Sequence, residues 1–149
     1  MRALLQRVIE ASVEADDRVI GSIDRGIVTL VGVASGDAPE DSRFLADKIV
    51  HLRIFDDGRG RLNHSILAAG GSCLLVSQFT LLANTHRGRR PDFLNAAPPG
   101  AAMPLIAELA DRLRDAGVPV VEGRFGAHML VRLANDGPVT ILLDSRARA

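Results

Sequence analysis

The sequence predicts a single α+β domain in which two main helices pack against a mostly antiparallel β-sheet or partial barrel. The chain has 149 residues, which is the usual size of one domain. Roughly seven short apolar segments show the alternation or the β-branched composition of strands. Two longer segments carry apolar residues at helical spacing. Strands that follow one another through short hairpin connections favour an antiparallel sheet.

The first third of the chain predicts four strands and one helix. Residues 3–8 form the first strand, and residues 12–15 and 18–23 form a hairpin around Asp16-Asp17. Residues 27–33 are continuously apolar and rich in β-branched side chains, which is typical of a central strand. A helix begins close to Pro39, because proline suits the first turn. The apolar stripe of this helix consists of Phe44, Leu45, Ile49 and Leu52.

The rest of the chain predicts a second helix and four more strands. Residues 56–60 form a glycine-containing loop, and residues 82–100 show no regular pattern. The second helix covers about 101–116, and Gly117 ends it. Its apolar stripe consists of Leu105, Ile106, Leu109 and Leu113. The predicted strands of this part are 72–79, 118–121, 127–133 and 139–143.

The composition excludes several classes of function. Lys plus Arg and Asp plus Glu number 18 each, so any contact with nucleic acid requires a local patch. Trp and Tyr are absent, which argues against an aromatic platform for single strands. Cys73 is the only cysteine, and the four histidines lack metal-ligand spacing. No P-loop, dinucleotide fingerprint or nucleophile elbow is present. We therefore expect no metal and no cofactor, and ester hydrolysis without either is compatible with the sequence.

The hydropathy pattern predicts the compartment. No apolar stretch approaches the roughly 18 residues that a membrane helix needs. The first residues include Arg2 and Arg7 and lack the apolar core of a signal peptide. We expect a cytoplasmic protein with no membrane segment.

The segment Ser77-Gln78-Phe79-Thr80 forms the polar end of an apolar strand. If the strand continues, Ser77 and Phe79 face one way while Gln78 and Thr80 face the other. If it ends after Val76, all four residues can line a pocket with their backbone amides. Polar residues at a strand end are commonly just solvated, so the residues alone leave these alternatives open.

A second polar segment, residues 135–140, connects two predicted strands. Asn-Asp-Gly is a strong turn signal, and Pro138 cannot donate a hydrogen bond to a sheet. By itself, the segment predicts a tight turn at Gly137.

The densest basic cluster lies in residues 86–91 and contains Arg87, Arg89 and Arg90. It predicts either a solvated loop or a contact with nucleic-acid phosphates, which position a nucleic acid without reading its sequence.

Together these segments resemble the D-aminoacyl-tRNA deacylase family, whose members cleave the ester of a tRNA mischarged with a D-amino acid or with glycine. The resemblance implies that residues 77–80 are catalytic. Backbone amides near Phe79 and Thr80 would hold the ester carbonyl oxygen, while the 2′-hydroxyl of the terminal ribose orients the attacking water. A nucleophilic Thr80 hydroxyl is the alternative, although no activating base is evident. Further matching segments are residues 1–8, 53–55 with Asn63, 70–72 and 87–91.

The resemblance also implies a homodimer. Gly137-Pro138 matches the family's Gly-cis-Pro motif, which one subunit inserts into the pocket of the other. Its rigid backbone would occupy the space of an L side chain, so chirality is selected by exclusion. Arg7 would tie the subunits together, or else it is a charge on an edge strand. Met129 would pack against the terminal adenine or fill the core. Asp92 stands where the family leads us to expect serine, and its carboxylate would repel a phosphate.

Two other functions stay open from the residues. A nucleic-acid-binding module without activity would use Arg87, Arg89 and Arg90 and would show salt-sensitive binding. A small-molecule acyl hydrolase could occupy the same fold, because a fold alone does not determine the substrate.

Overall fold

The structure, a computed structural model, describes residues 1–86 and 88–147 and has an α+β fold. The described residues include eight strands, three α-helices and one 3-10 helix. The helices are α1 (Pro39–His51), α2 (Ile66–Ala69) and α3 (Pro99–Asp115), and the 3-10 helix is Phe79–Leu82. The strands are β1 (Arg2–Ala15), β2 (Arg18–Ile23), β3 (Gly26–Gly32), β4 (Phe55–Asp56), β5 (Leu62–His64), β6 (Ser72–Ser77), β7 (Val120–Glu122) and β8 (Leu130–Asp144).

The main sheet is mixed and curls into a nearly closed barrel. Its strand order is β2-β1-β3-β6-β7, and β8 pairs with the other side of β1. All pairings of β1 are antiparallel, whereas β3–β6 and β6–β7 are parallel, because helices lie between those strands in the chain. The curl brings β2 against β7: a Cβ atom on Gly21 would lie 2.4 Å from Cγ1 of Val121. The predicted α+β class is therefore confirmed.

Both faces of the main sheet are buried. One face packs against α1 and α3. The predicted stripe of α3 is buried, and that of α1 is buried at Leu45 and Ile49 and partly buried at Phe44 and Leu52. The other face forms a smaller core inside the curl. This explains the continuous apolar run of β3, because strands that are covered on both sides do not alternate. Among the described helices, none has the length and apolar composition needed to cross a bilayer.

The two long strands differ from the sequence prediction. Residues 3–8 and 12–15 belong to one strand, β1, and the predicted hairpin to β2 turns at Asp16 and Asp17, which have φ of 52° and 57°. The predicted strands 127–133 and 139–143 form a single strand, β8, that begins at Leu130. Both halves of β8 pair with β1, so the predicted tight turn between them is wrong. The sequence pattern also missed α2 and the β4–β5 hairpin.

A bulge takes the place of that turn. Gln6 pairs with Thr140 and Val8 pairs with Asn135, which leaves Arg7 alone opposite residues 136–139. A strand that carries extra residues must bend outward. Turn-forming residues therefore produce a protrusion from a continuous strand, and its base lies at Arg7.

Candidate functional site

A mostly apolar cavity of about 540 Å³ opens at the carboxyl end of β6. Its floor is formed by the ends of β3 and β6, and its walls by the start of α3 and the segment 125–129. Ser77, Gln78 and Phe79 lie at its polar rim. The remaining lining residues are Val31, Val33, Val76, Ala96, Ala97, Pro99, Ala102, Ile106, Phe125, Gly126, Ala127, His128, Met129 and Val131.

The chain leaves the strand at Ser77 and turns at once into the 3-10 helix. The predicted strand 72–79 is therefore too long, and the alternating orientation does not extend over residues 78–80. The Gln78 amide donates to the Val31 carbonyl at 2.7 Å, which anchors the turn to β3. Close approach requires Gly32, because a Cβ atom there would lie 2.9 Å from the Gln78 carbonyl oxygen. This packing holds the 3-10 helix at the cavity rim.

The first amides of the 3-10 helix are free. A helix cannot satisfy its own first N–H groups, and among the described residues no acceptor faces the amides of Phe79 and Thr80. The Thr80 side chain is exposed, and its hydroxyl accepts a hydrogen bond from the Gln78 side chain. No carboxylate or histidine in the described part of the chain contacts this hydroxyl, so a base that could activate it is not in place. The geometry offers donors for an oxyanion rather than an activated nucleophile.

The basic loop lies directly beside this rim. The ring of Phe93, at the end of the loop, packs edge-on against Phe79 with centroids 5.0 Å apart. Asn84 and Asp92 close the loop through two backbone hydrogen bonds and a side-chain contact of 3.1 Å. The Asp92 carboxylate, for which serine was expected, therefore serves to hold the loop. Arg89 and Arg90 are exposed, and Arg87 lies outside the described residues.

The bulge of β8 is exposed and tightly held. The peptide bond between Gly137 and Pro138 is cis, as the family resemblance implied. The Asn135 side chain spans the bulge, because it accepts from the Val139 amide at 2.8 Å and donates to the Thr140 hydroxyl at 3.0 Å. Gly137 has φ of +139°, and a Cβ atom there would lie 2.9 Å from the Val139 nitrogen. Glycine is therefore required at this position.

Arg7 anchors the base of the bulge within its own chain. Its side chain is only 6% exposed, and its Nε donates to the Asp136 carbonyl at 2.8 Å while Nη1 donates to the Ile54 carbonyl at 2.9 Å. The carboxylates of Asp56 and Asp136 lie 3.5 and 3.6 Å away. Because β1 has neighbours on both sides, the alternative of an edge-strand charge is wrong.

Seven of the predicted site residues form two groups, whereas Thr80, Arg89 and Arg90 do not line the cavity. Ser77, Gln78, Phe79 and Met129 line the cavity. Arg7, Gly137 and Pro138 lie together at the bulge and do not line this chain's own cavity. Met129 also packs against the smaller core, as one of its two predicted roles requires, and its contact with the terminal adenine stays a prediction.

Sequence reasoning missed most of the cavity wall. The sequence predicts a strand from Ala127 and nothing for Phe125 and Gly126, yet residues 125–128 lie between β7 and β8 and line the cavity. His128 is the one titratable side chain that lines the cavity among the described residues. Gly126 was the available signal, because glycine between two strand-like segments favours a turn, and it has φ of +75° in the structure. The same described residues hold no cluster of ligands suited to a metal ion.

Solved structures share this fold over almost the whole chain. One titled "c-Myc DNA Unwinding Element Binding Protein" has a TM-score of 0.91 at 37% identity and covers 97% of this chain and 98% of its own. Another, titled "Structural Analysis of a probable eukaryotic D-amino acid tRNA deacylase", has a TM-score of 0.81 at 17% identity, with coverages of 95% and 97%. The second likeness establishes the fold class: a small α+β domain with a curled, mixed sheet.

Sequence comparison is more specific. The profile of the D-Tyr-tRNA(Tyr) deacylase family matches residues 4–144. A protein of Thermomicrobium roseum named D-aminoacyl-tRNA deacylase is 57% identical over 97% of this chain and 94% of its own length. A Geobacillus protein of the same name is 49% identical over 100% of this chain and 98% of its own length. The chain belongs to the D-Tyr-tRNA(Tyr) deacylase family, which confirms the resemblance of the sequence.

Proposed function

We propose that this protein hydrolyses the ester of D-aminoacyl-tRNA, and of tRNA mischarged with glycine, and that it rejects L-aminoacyl-tRNA. The observation that carries this proposal is the pair of free amides at Phe79 and Thr80, at the rim of a cavity in a chain of this family. The names of the close relatives support the same substrate class. The reaction takes place in the cytoplasm, where tRNA is charged.

The amides act on the ester carbonyl. As water adds to the carbonyl carbon, negative charge develops on the oxygen, and the two N–H groups stabilise it. The 2′-hydroxyl of the terminal ribose orients this water. The bond to the ribose 3′ oxygen then breaks, that oxygen takes up a proton, and the free D-amino acid and tRNA leave. Ser77 and Gln78 shape the rim, and Gln78 holds the Thr80 hydroxyl in place.

Chirality is selected by a second copy of the chain. The bulge with Gly137 and Pro138 is exposed and lies outside its own cavity, which suits insertion into the cavity of a partner subunit. Its backbone fills the space that an L side chain requires, whereas a D side chain points elsewhere and glycine has none. Phe79 and Leu142 are 57% and 58% exposed, and a homodimer contact would cover them.

The tRNA end is held by the cavity and the basic loop. Met129 packs against the terminal adenine in the apolar part of the cavity. Arg89 and Arg90, together with Arg87, contact phosphates of the acceptor end and position it without reading sequence. The Phe79–Phe93 contact keeps this loop next to the ester site.

Deacylation of D-Tyr-tRNA and L-Tyr-tRNA tests the proposal. We expect rapid release of D-tyrosine and none of L-tyrosine above the uncatalysed rate. Equal rates would refute the selection of chirality. Binding that is sensitive to salt, without turnover, would identify a nucleic-acid-binding module. Cleavage of free D-aminoacyl esters as fast as of charged tRNA would identify a small-molecule hydrolase.

A further inference from the structure

Arg7 connects the bulge to a second element, the β4–β5 hairpin. The same guanidinium donates to the Asp136 carbonyl in the bulge at 2.8 Å and to the Ile54 carbonyl at the start of the hairpin at 2.9 Å. Its ion pairs with Asp56 and Asp136 repeat this connection. Because the guanidinium is planar and buried, it fixes the two elements relative to each other. The position of the hairpin is therefore coupled to that of the bulge.

The hairpin carries exposed positive charge. Arg59 and Arg61 lie in its loop, and neither side chain has a carboxylate partner among the residues that the structure describes. The Asp57 carboxylate points into the loop and accepts hydrogen bonds from the backbone amides of Arg59 and Arg61. These hydrogen bonds, of which the one from Arg59 has the larger effect, hold the pKa of this carboxyl below its usual value. Asp56 faces Arg7. The acidic groups of the hairpin are thus engaged locally, and the two guanidinium groups extend into solvent.

We propose that the β4–β5 hairpin binds phosphates of the tRNA that occupies the partner subunit's cavity. This inference rests on the proposed function, in which the bulge of one subunit enters the cavity of the other. A hairpin fixed to that bulge must then lie beside the entrance of the partner's cavity. The acceptor end of a bound tRNA has to pass this entrance, and its backbone carries the closely spaced charge that arginine side chains bind.

The arrangement divides the positive charge around one cavity between two chains. The basic loop with Arg89 and Arg90 is next to its own chain's 3-10 helix, and so it contacts the tRNA from the catalytic subunit. The hairpin contacts the same tRNA from the subunit that supplies the bulge. A monomer would therefore lose part of its affinity for tRNA as well as its selection of chirality.

The double variant Arg59→Ala with Arg61→Ala tests the contact. Its matched control is Arg18→Ala with Arg43→Ala, which removes the same charge from exposed positions on β2 and α1. For D-Tyr-tRNA we expect KM to rise several-fold in the hairpin variant with kcat unchanged. The slope of log KM against log salt should fall by about 1.5, the value for two lost phosphate contacts. Cleavage of a D-tyrosyl ester of adenosine, which lacks the acceptor stem, should be unaffected.

Mixed dimers decide which subunit supplies the contact. One subunit carries Ala127→Trp, which fills the cavity. A preliminary control establishes that the Ala127→Trp protein on its own forms dimers and is inactive. In a mixed dimer, placing the hairpin substitutions on this blocked subunit should raise the KM of the single open cavity. Placing them on the open subunit should leave KM at the wild-type value. The reverse result would overturn the inference, because the hairpin would then act on its own cavity.

The two proposals fail differently. If the wild type cleaves D-Tyr-tRNA and L-Tyr-tRNA equally, the proposed function is wrong. If the wild type is selective and the hairpin variant has the KM and salt slope of the Arg18/Arg43 control, only the hairpin contact is wrong.

Discussion

Replacing Arg7 by methionine removes the guanidinium that holds the base of the bulge. Methionine keeps an apolar chain of similar length, so the buried methylene contacts are largely retained. The substitution therefore isolates the hydrogen bonds to Asp136 and Ile54 and the two nearby ion pairs.

The expected loss of stability follows from burial. Each hydrogen bond from a charged donor contributes about 1.5–3 kcal/mol, and the buried Ile54 carbonyl would lose its donor. The carboxylates of Asp56 and Asp136 are 46% and 49% exposed, so water solvates them and their ion pairs add little. Removing a buried guanidinium also relieves its desolvation. We expect the free energy of unfolding to fall by about 3 kcal/mol, which leaves a domain of typical stability folded.

Urea unfolding and deacylation measure the two consequences. Arg132→Met is the control: Arg132 lies on β8, the strand that carries the bulge, is 59% exposed and pairs with Glu14 at the surface, so its loss should cost at most about 1 kcal/mol. Arg7→Met should also release L-tyrosine from L-Tyr-tRNA, because the bulge is no longer held. A loss of stability no larger than that of the control would refute the structural role of Arg7. A destabilised variant that still rejects L-Tyr-tRNA completely would refute its connection with chirality.

Four further results are expected. Gly137→Ala should admit L-Tyr-tRNA, because a Cβ at φ of +139° would contact neighbouring backbone; unchanged rejection in the deacylation assay would contradict the role of the bulge. Thr80→Ala should retain a near-normal rate constant for deacylation in single-turnover assays, whereas complete loss of deacylation would favour a threonine nucleophile. Asp37→Asn should lower the free energy of unfolding by about 3 kcal/mol in urea, because the buried carboxylate pairs with the Met1 ammonium group at 2.7 Å and with Arg146 at 2.9 Å; a change below about 1 kcal/mol would refute this. Burial raises the pKa of the Cys73 thiol to about 11, so at pH 8 it is protonated and should react with a thiol reagent only on unfolding; immediate labelling of the native protein would contradict that burial.

The elements that the sequence predicted correctly are those with a strong local signal. The stripe of α3 and its end at Gly117 follow from helical spacing and a C-terminal glycine, and both are present in the structure. The hairpin at Asp16-Asp17 follows from local turn chemistry. The β4–β5 hairpin was missed, because strands of two and three residues are too short to show a period.

The candidate site was predicted at its rim and missed in its walls. Ser77 to Thr80 were found because polar residues follow an apolar run and match a family motif. The wall around Phe125 and Ala102 combines residues from a connecting segment and the face of a helix. Neither segment has an unusual composition. Their proximity in the folded chain depends on how α3, which connects β6 to β7, packs against the sheet.

The fold class, the main segments of strand and helix, and the family follow from the sequence alone, because these depend on local patterns and on the order of motifs. The folded chain was needed to show that Asn135-Asp136-Gly137-Pro138 protrudes from a continuous strand and that Arg7 binds it to the hairpin. The cause is pairing with β1: both halves of β8 find their partners on a strand that lies 116 to 142 residues earlier in the chain, as the pairs Glu14–Leu130 and Arg2–Asp144 illustrate. No local propensity specifies such a register, which depends on how the whole sheet packs.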